Sequence, residues 1–408
     1  MTRKDSALIG RAASVFLTLA FAVAPASALT LEDAVARLWA QSAQLPAQEQ
    51  QVRLAELDRW RRFLPNEPQL LFNNTDDHTN VGWGLGETFA FPGKALALAG
   101  TDRARADFQR TELTARRYDL ARLAAQTYVD GAVATAALEM QRQNVADLEA
   151  LAASLRARYE AGLATQAEDI SAELQLRSTR ADLAAAEDHV AVSTTRLTRL
   201  LALAPSATGQ LELPDDLSPA LLVQLGGGTS DRLRAAAAAE LAQSAKRAAW
   251  WNQLPDLSLS AVRNRYYYLP GSPNGETRTW TYGAAVTIPL MLPAYERAET
   301  RRAQSQADLD RSAAELAALS ADSDISDAAR EWRRSRKRLQ ELHERDRPMA
   351  EALMQSTLSS YKTGKLGFAE LVLARKTLSD LRIQEVQMRG SVLLARLRCL
   401  DRCAEENP

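Results

Sequence analysis

The chain has 408 residues and almost balanced charge, with 50 Lys and Arg against 51 Asp and Glu. The sequence has no basic stripe that would indicate a nucleic-acid partner, and its mixed charges are typical of solvated helix faces. Two cysteines, Cys399 and Cys403, are too few for a disulfide framework. They lie four positions apart, and both one disulfide and two thiols remain open alternatives.

Residues 1–28 have the features of a secretory signal peptide. Two basic residues precede an apolar run over 12–24, and Ala26-Ser27-Ala28 supplies the small-x-small cleavage pattern. We therefore expect an exported protein whose mature chain starts at Leu29. The mature sequence contains no run of about 20 apolar residues, so it predicts no transmembrane helix.

Long stretches without proline predict unusually long helices. The stretch from Ala95 to Ala161 contains none, and a helix through it would reach about 100 Å. From Leu366 to Cys399 the positions spaced by three and four are apolar or small, except Glu385, which is typical of a coiled-coil seam. The seam positions are Leu371, Ala374, Leu378, Leu381, Glu385, Met388, Val392, Ala395 and Cys399.

Two regions alternate large apolar residues with small or polar ones and therefore predict β-strands. They run from Val81 to Phe91 and from Thr279 to Ile288, each with a less regular partner strand upstream. The upstream partners are Gln69–Thr75 and Leu257–Tyr268. Each hairpin is expected to pass into a helix at a proline, and the junction residues are Pro92, Gly93 and Pro289.

The same elements occur twice in the same order, which predicts an internal duplication. Trp83–Phe91 matches Trp280–Ile288, and Arg158–Leu163 matches Ser360–Lys365 around a glycine. Each copy is a helix, a hairpin, a very long helix, a glycine turn and a long helix. The predicted domains are a repeat at 29–204 with its hairpin at 68–92, a connector at 205–230, a repeat at 231–403 with its hairpin at 255–289, and a tail at 404–408.

The strands have the length of strands in outer-membrane barrels, about ten residues. An open four-stranded sheet would leave unpaired edges in lipid at high cost, so several chains must share one barrel, and three chains would supply twelve strands. Aromatic residues cluster toward the strand ends away from the helices, as in an interfacial girdle. The alternative is that they pack a soluble sheet. The girdle residues are Trp83, Tyr266, Tyr267, Tyr268, Trp280 and Tyr282.

These features resemble the outer membrane factor family, the TolC-like outer-membrane efflux proteins, over essentially the whole mature chain. The resemblance rests on Leu-Pro before each hairpin, on Phe91-Pro92-Gly93-Lys94, and on glycine turns followed six positions later by Glu168 or Glu370. It implies a mainly α fold with a small β part. Very long antiparallel coiled-coil helices would join two β-hairpins, which contribute four strands to a trimeric 12-stranded outer-membrane barrel above a periplasmic helical tunnel.

The resemblance also implies that the glycine turns form a periplasmic tip that contacts an adaptor. The predicted tip residues are Tyr159, Gly162, Leu163, Thr165, Tyr361, Gly364, Lys365 and Leu366. An acidic ring at the entrance is a second hypothesis, with Glu168, Asp169 and Glu370 as its candidates. The alternative is that acids in a first helical turn only complement the helix dipole.

The predicted function is that of an outer-membrane channel subunit in a tripartite efflux system. The expected partners are two further copies of the chain, a periplasmic adaptor, an inner-membrane pump and outer-membrane lipid. The Phe-Pro-Gly-Lys junction and the glutamates after the turns resemble the CzcC-like branch, which implies heavy-metal cations as cargo. The alternatives are a drug or organic-solute channel and a soluble periplasmic coiled-coil adaptor or scaffold.

No catalytic signature is present, so the sequence predicts no enzyme and no cofactor. The histidines, His78, His189 and His343, are scattered without metal-ligand spacing, and we expect no metal site.

Overall fold

The structure is a computed structural model that describes residues 29–61, 68–74, 80–203, 211–218, 221, 225, 230–251, 256–266, 277–287 and 293–404. The predicted signal peptide, the junction at Pro289 and the girdle residues Tyr267 and Tyr268 lie outside these residues.

Long helices make up most of the described chain. They are α1 (Leu31–Gln41), α2 (Gln44–Arg61), α3 (Pro92–Glu160), α4 (Gln166–Leu200), α5 (Ser230–Trp251), α6 (Pro293–Glu341), α7 (Arg347–Lys362) and α8 (Phe368–Ala404). Helix α3 alone has 69 residues and spans about 100 Å, which confirms the predicted rod. No helix in the described ranges contains an apolar stretch long enough to cross a membrane.

Helices α6 and α7 are consecutive parts of one long helix, and a single turn of π-helix separates them. The π segment is Leu342–Asp346, and the N–H of Arg347 bonds to the carbonyl of Leu342, five residues back. Pro348 follows directly and has no N–H to donate to the preceding turn, which explains why the regular α pattern fails here. The sequence predicted an uninterrupted second long helix and did not anticipate this turn.

The four strands form one antiparallel sheet in the order β1-β2-β3-β4, with β1 at Gln69–Asn74, β2 at Asn80–Phe89, β3 at Asp256–Tyr266 and β4 at Thr277–Thr287. Strands β2 and β3 join the two hairpins, from the pair Phe89–Leu257 to the pair Asn80–Tyr266. The predicted strands are confirmed over the described residues, and β2 starts one residue earlier and ends two residues earlier than predicted.

The helices are arranged as a layer below the sheet. At the sheet end, the helices lie side by side in the order α2, α3, α5, α6. At the opposite end, α4 packs chiefly against α3, and α3 packs against α8. Helix α8 in turn packs against both α6 and α7. The outermost helices are therefore α2 and α4 on one side and α6 and α7 on the other.

The main hydrophobic core lies where α1, α3, the end of α4, the connector and α8 meet. Connector residues Leu217 and Leu221 are buried there beside Val35 and Leu397. The hydroxyl of Tyr128 lies 2.9 Å from the carbonyl oxygen of Leu29 and 3.0 Å from that of Glu212, so it links the start of the described chain to the connector.

The predicted seam of α8 is confirmed, since none of its nine positions is exposed. At its end Cys399 and Cys403 form a disulfide within the helix. The disulfide is buried under Trp332 and Ala328 of α6, which resolves the alternative left open by the sequence.

Candidate functional site

The turn between α3 and α4 is built around Gly162. This residue has φ +73°, a left-handed conformation that glycine adopts without a steric penalty. The N–H of Gly162 donates to the carbonyl of Tyr159 at 2.9 Å, and the N–H of Leu163 donates to that of Arg158 at 2.8 Å. These two bonds define a Schellman motif, which satisfies the last carbonyls of α3 and reverses the chain.

The turn between α7 and α8 repeats this geometry around Gly364, which has φ +74°. The N–H of Gly364 donates to Tyr361 at 3.0 Å, and that of Lys365 donates to Ser360 at 2.9 Å. A Cβ at Gly162 or Gly364 would meet no atom within 4 Å. Backbone conformation, and not lack of space, therefore explains why both turns use glycine.

The two turns pack against each other through one buried aromatic residue. Phe368, only 2% exposed, lies with Leu155 and Ala172 in a small core beneath both turns. The Tyr361 ring packs edge-on against Phe368 with centroids 6.4 Å apart, and the Arg158 guanidinium lies 5.0 Å from the Tyr361 ring centroid. The turns consequently pack into one end of the molecule, opposite the sheet.

Most predicted tip residues face solvent at this end. Leu163 is 70% exposed, and Tyr159, Thr165, Lys365 and Leu366 are also exposed. Tyr361 is half-buried, because it also packs against Phe368. Exposed leucines at a helix turn form an apolar surface that a protein partner can cover.

The three acids predicted for an entrance ring differ in their surroundings. Glu168 forms a capping box with Thr165, whose backbone N–H and hydroxyl donate to the Glu168 carboxylate at 2.9 and 3.0 Å. The bond from the Thr165 backbone is the main cause that lowers the pKa of Glu168. Burial opposes it, and the Thr165 hydroxyl, the Phe368 backbone N–H and the charge of Arg158 lower the pKa further.

Asp169 is half-buried, whereas Glu370 is exposed. Glu370 follows Gly367, which has no side chain with which to form the reciprocal capping bond, and a Cβ at Gly367 would lie 2.9 Å from Glu370 Oε2. The carboxylate of Glu370 is therefore folded back over the start of α8. Helix capping accounts for the position of Glu168, whereas Glu370 has no reciprocal capping partner in Gly367.

The sheet has one apolar and one small, polar face, as predicted. Along β2 the apolar face presents Trp83, Leu85 and Phe89, while Gly82, Gly84 and Gly86 are buried on the other. The apolar face continues across all four strands in register and carries Leu70, Phe72, Trp83, Leu85, Leu257, Leu259, Trp280, Tyr282 and Val286. Its large side chains are exposed in a single chain and need a covering environment.

The predicted aromatic girdle divides between the two faces. Trp83, Trp280 and Tyr282 lie on the apolar face, where Trp280 and Tyr282 stack with centroids 6.4 Å apart. Tyr266 pairs with Asn80 and Thr277 and lies on the small, polar face, because the register places it one residue out of phase.

The first strand–helix junction is explained by two contacts that the sequence did not reveal. Pro92 begins α3, where the missing N–H has no helical partner to lose. Gly93 lies under the ring of Trp251, and Lys94 donates to both carboxylate oxygens of Asp256 at 3.0 and 3.1 Å. The motif thus fastens the first long helix to the second hairpin.

Sequence reasoning also missed an ion cluster around Glu385, the polar exception in the seam. Glu385 is 5% exposed and contacts His343 Nδ1 at 3.1 Å, Arg347 at 3.3 Å and Arg389 at 3.1 Å. Burial raises the pKa of Glu385, but the His343 hydrogen bond and the charges of Arg347 and Arg389 outweigh it, so its pKa is lowered overall. The only sequence feature that could have indicated this cluster was the position of Glu385 among the apolar seam residues of α8.

The described residues contain no group of three or more His, Cys, Asp or Glu side chains that could hold a metal ion. The features on which a function can be based are the paired turns, the apolar sheet face and the unpartnered edges of the layer.

Comparison with known proteins agrees with this description. Residues 64–203 match the family model for the outer membrane efflux protein family, so the resemblance noted in the sequence is confirmed for that stretch. No curated protein sequence matches the chain significantly.

Solved structures share the fold over nearly the whole chain. VceC, an outer membrane protein from Vibrio cholerae, is 17% identical, covers 91% of this chain and 95% of its own, and has a TM-score of 0.76. A membrane protein from Pseudomonas aeruginosa is 17% identical, with 90% and 92% covered and a TM-score of 0.75. CusC is 16% identical, with 90% of each chain covered and a TM-score of 0.73. The fold of this chain is therefore the fold that these three membrane proteins share.

Proposed function

We propose that this chain, which matches the outer membrane efflux protein family over residues 64–203 and has the fold of such channels, is the outer-membrane channel subunit of a tripartite efflux system. In this proposal three copies form a twelve-stranded barrel in the outer membrane and a helical tunnel in the periplasm. An adaptor binds the glycine turns and connects the channel to an inner-membrane pump.

The observation that carries the proposal is that both layers are open at corresponding edges. The sheet ends at β1 and β4, and the helix layer ends at α2 and α4 on one side and at α6 and α7 on the other. These edge helices carry exposed large apolar residues, namely Leu54, Leu57, Ile170, Leu174, Val192, Leu309, Leu316, Leu319, Met349 and Leu353. A head-to-tail ring of identical chains would pair the strand edges and cover these side chains.

The sheet supports a membrane location for the barrel. Strands of 10 or 11 residues, as in β2, β3 and β4, suffice to cross the hydrocarbon layer when tilted. The apolar face would contact lipid, and the small, polar face would line the lumen. A soluble adaptor or scaffold has no use for an exposed sheet face on which large apolar side chains predominate.

The turn surface supports the adaptor contact. The predicted contact residues Tyr159, Leu163, Lys365 and Leu366 are exposed at this end of the molecule. Apolar side chains at a surface are suitable anchors for a protein interface. The acidic ring of Glu168, Asp169 and Glu370 is kept as a secondary proposal, since helix capping explains part of it.

For the cargo we propose heavy-metal cations, with drugs or organic solutes as the second candidate. The metal proposal rests on resemblance to the CzcC-like branch at Phe91-Pro92-Gly93-Lys94 and at the glutamates after the turns. These residues also have structural roles here, so they are weaker indicators of cargo than of fold. The channel needs no metal ligands if the pump selects the ion.

The test is growth of a deletion strain, with and without the restored gene, across graded zinc, cobalt, cadmium, copper and several drugs. Membrane fractionation and crosslinking of the restored protein run in parallel. Trimers in the outer membrane with rescued metal tolerance are expected. Rescue of drug tolerance alone would favour drugs or organic solutes as the cargo. A restored protein that is a soluble monomer would contradict the proposed channel function.

A further inference from the structure

The apolar face of the sheet contains one acidic side chain among the described strand residues. Glu87 has the same orientation along β2 as Trp83, Leu85 and Phe89, and it pairs with Leu259 of β3. The basic residues of this face, Arg263, Arg265 and Arg278, lie toward the opposite end of the strands, away from the helices.

Glu87 borders an apolar depression of about 530 Å³. The small side chains Ala261 and Ala284 form its floor, and the large side chains of Leu85, Phe89, Leu259 and Tyr282 surround it. The register gives the depression a direction. Glu87, Leu259 and Ala284 form the row nearer the helices, and Leu85, Ala261 and Tyr282 form the next row toward the strand middle.

The carboxylate has no counter-charge within the described residues. Glu87 Oε1 is buried and accepts no hydrogen bond there. Lys94, in the first turn of α3, is held by both oxygens of Asp256. A carboxylate on a lipid-facing surface without a partner is costly, so an external cation at this point would stabilise the protein.

We propose that this depression binds one phospholipid whose headgroup bears a primary ammonium. The ammonium donates to the Glu87 carboxylate, and an acyl chain lies over Ala261 and Ala284. This inference rests on the proposed outer-membrane location. With the helices in the periplasm, the Glu87 end of the strands faces the inner leaflet, which supplies the lipid. A choline headgroup has no N–H to donate, and an anionic headgroup meets repulsion from Glu87.

The test uses full-length protein purified from the outer membrane, delipidated in detergent and titrated with three lipids of identical acyl chains. These are phosphatidylethanolamine, phosphatidylcholine and phosphatidylglycerol, and binding is read by native mass spectrometry. The wild-type protein is expected to bind phosphatidylethanolamine about tenfold more tightly than the other two. Glu87→Gln should lose this preference, and Glu87→Lys should favour phosphatidylglycerol. Glu299→Gln, on the exposed surface of α6, is the control and should behave as wild type.

Equal binding of the three headgroups by the wild-type protein, or an unchanged preference in Glu87→Gln, would overturn the inference. The location and efflux activity of the wild-type protein are measured in the same preparations. Their loss would contradict the proposed function, whereas an active outer-membrane trimer without headgroup preference contradicts the lipid site alone.

Discussion

The ring of Trp251, the last residue of α5, lies directly over the Cα of Gly93 in the first turn of α3. A Cβ at position 93 would stand 2.8 Å from Cε3 and 2.9 Å from Cη2 of that ring. This contact joins the helix that follows the first hairpin to the helix that precedes the second.

Replacing Gly93 by Ala should therefore destabilise the junction, because the half-buried indole of Trp251 also packs edge-on against Trp250 and cannot move aside easily. We expect a loss of about 1–3 kcal/mol, seen as a lower midpoint of thermal unfolding of the purified protein. Gly100→Ala in the same helix is the matched control. A Cβ there meets no atom within 4 Å, so this change should stabilise the helix by up to about 1 kcal/mol. Equal effects of the two changes would contradict the packing explanation.

Replacing both Gly162 and Gly364 by Val should abolish efflux while leaving trimers in the outer membrane. A residue with a Cβ pays about 1–2 kcal/mol to adopt the left-handed conformation of these glycines, so Val would favour a different turn geometry. A Cβ at either position meets no atom within 4 Å, so the effect would come from the backbone conformation and not from a clash. Asn tolerates this conformation, and the double Asn variant should keep both turns and most of the activity. Efflux and crosslinked trimers are measured in the same cells. Normal efflux in the Val variant would remove the proposed role of the turns.

A charge at the edge of the helix layer should prevent assembly. Leu316 on the edge helix α6 is 67% exposed, and Leu373 on the inner helix α8 is 66% exposed. Leu316→Glu should give monomers on native gels, because a carboxylate would be buried between copies without a partner. Leu373→Glu should still assemble. If both variants form trimers, α6 is not an edge of the ring.

Glu385→Gln should lower stability in a pH-dependent way. The pKa of Glu385 is lowered in the folded protein from an ordinary value of 4.5, so its stabilising contribution is complete above that pH and is lost as the pH falls through the lowered value. At neutral pH we expect a loss of about 1–2 kcal/mol, because the variant removes charged hydrogen bonds to Glu385 while the three cations left behind are exposed to solvent and Arg347 keeps its pair with Glu351.

The measurement is the difference in thermal midpoint between wild type and Glu385→Gln from pH 7 down to pH 3, which should shrink toward the acidic end. Glu331→Gln is the control, because Glu331 is exposed and forms only a surface pair with Arg398 at 3.7 Å. A difference that stays constant with pH would show that the cluster does not stabilise the fold through charge.

Local sequence patterns were sufficient to predict most of the helices and strands, but not the π turn at Leu342–Asp346. Alternation in β2 and β4, the seam of α8 and the two glycines each depend on residues close together in the chain, and each is present as expected. The capping of α4 could also have been foreseen, because Thr165 and Glu168 have the spacing of a capping box.

What local patterns could not supply were contacts between distant segments. The Lys94–Asp256 pair joins residues 162 positions apart, and the His343–Glu385 pair joins residues 42 positions apart. The face on which Tyr266 lies depends on the register between strands, which a shift of one residue reverses. The apolar depression beside Glu87 likewise requires four strands in their final alignment.

The pairing of β2 with β3 has a consequence for how the molecule must be made. Phe89 and Leu257 are neighbours in the sheet but are 168 positions apart in the chain, so this ladder closes one of the longest loops in the molecule. A lone β1–β2 hairpin is marginal in water. In the proposed outer-membrane channel, each newly exported chain would travel with its first hairpin unpaired on one side, and with the leucines and tryptophan of that hairpin uncovered, until residue 266 has emerged. If the proposed location is correct, the hairpin would be exposed to aggregation during this interval, and a chaperone that covers it would protect the chain.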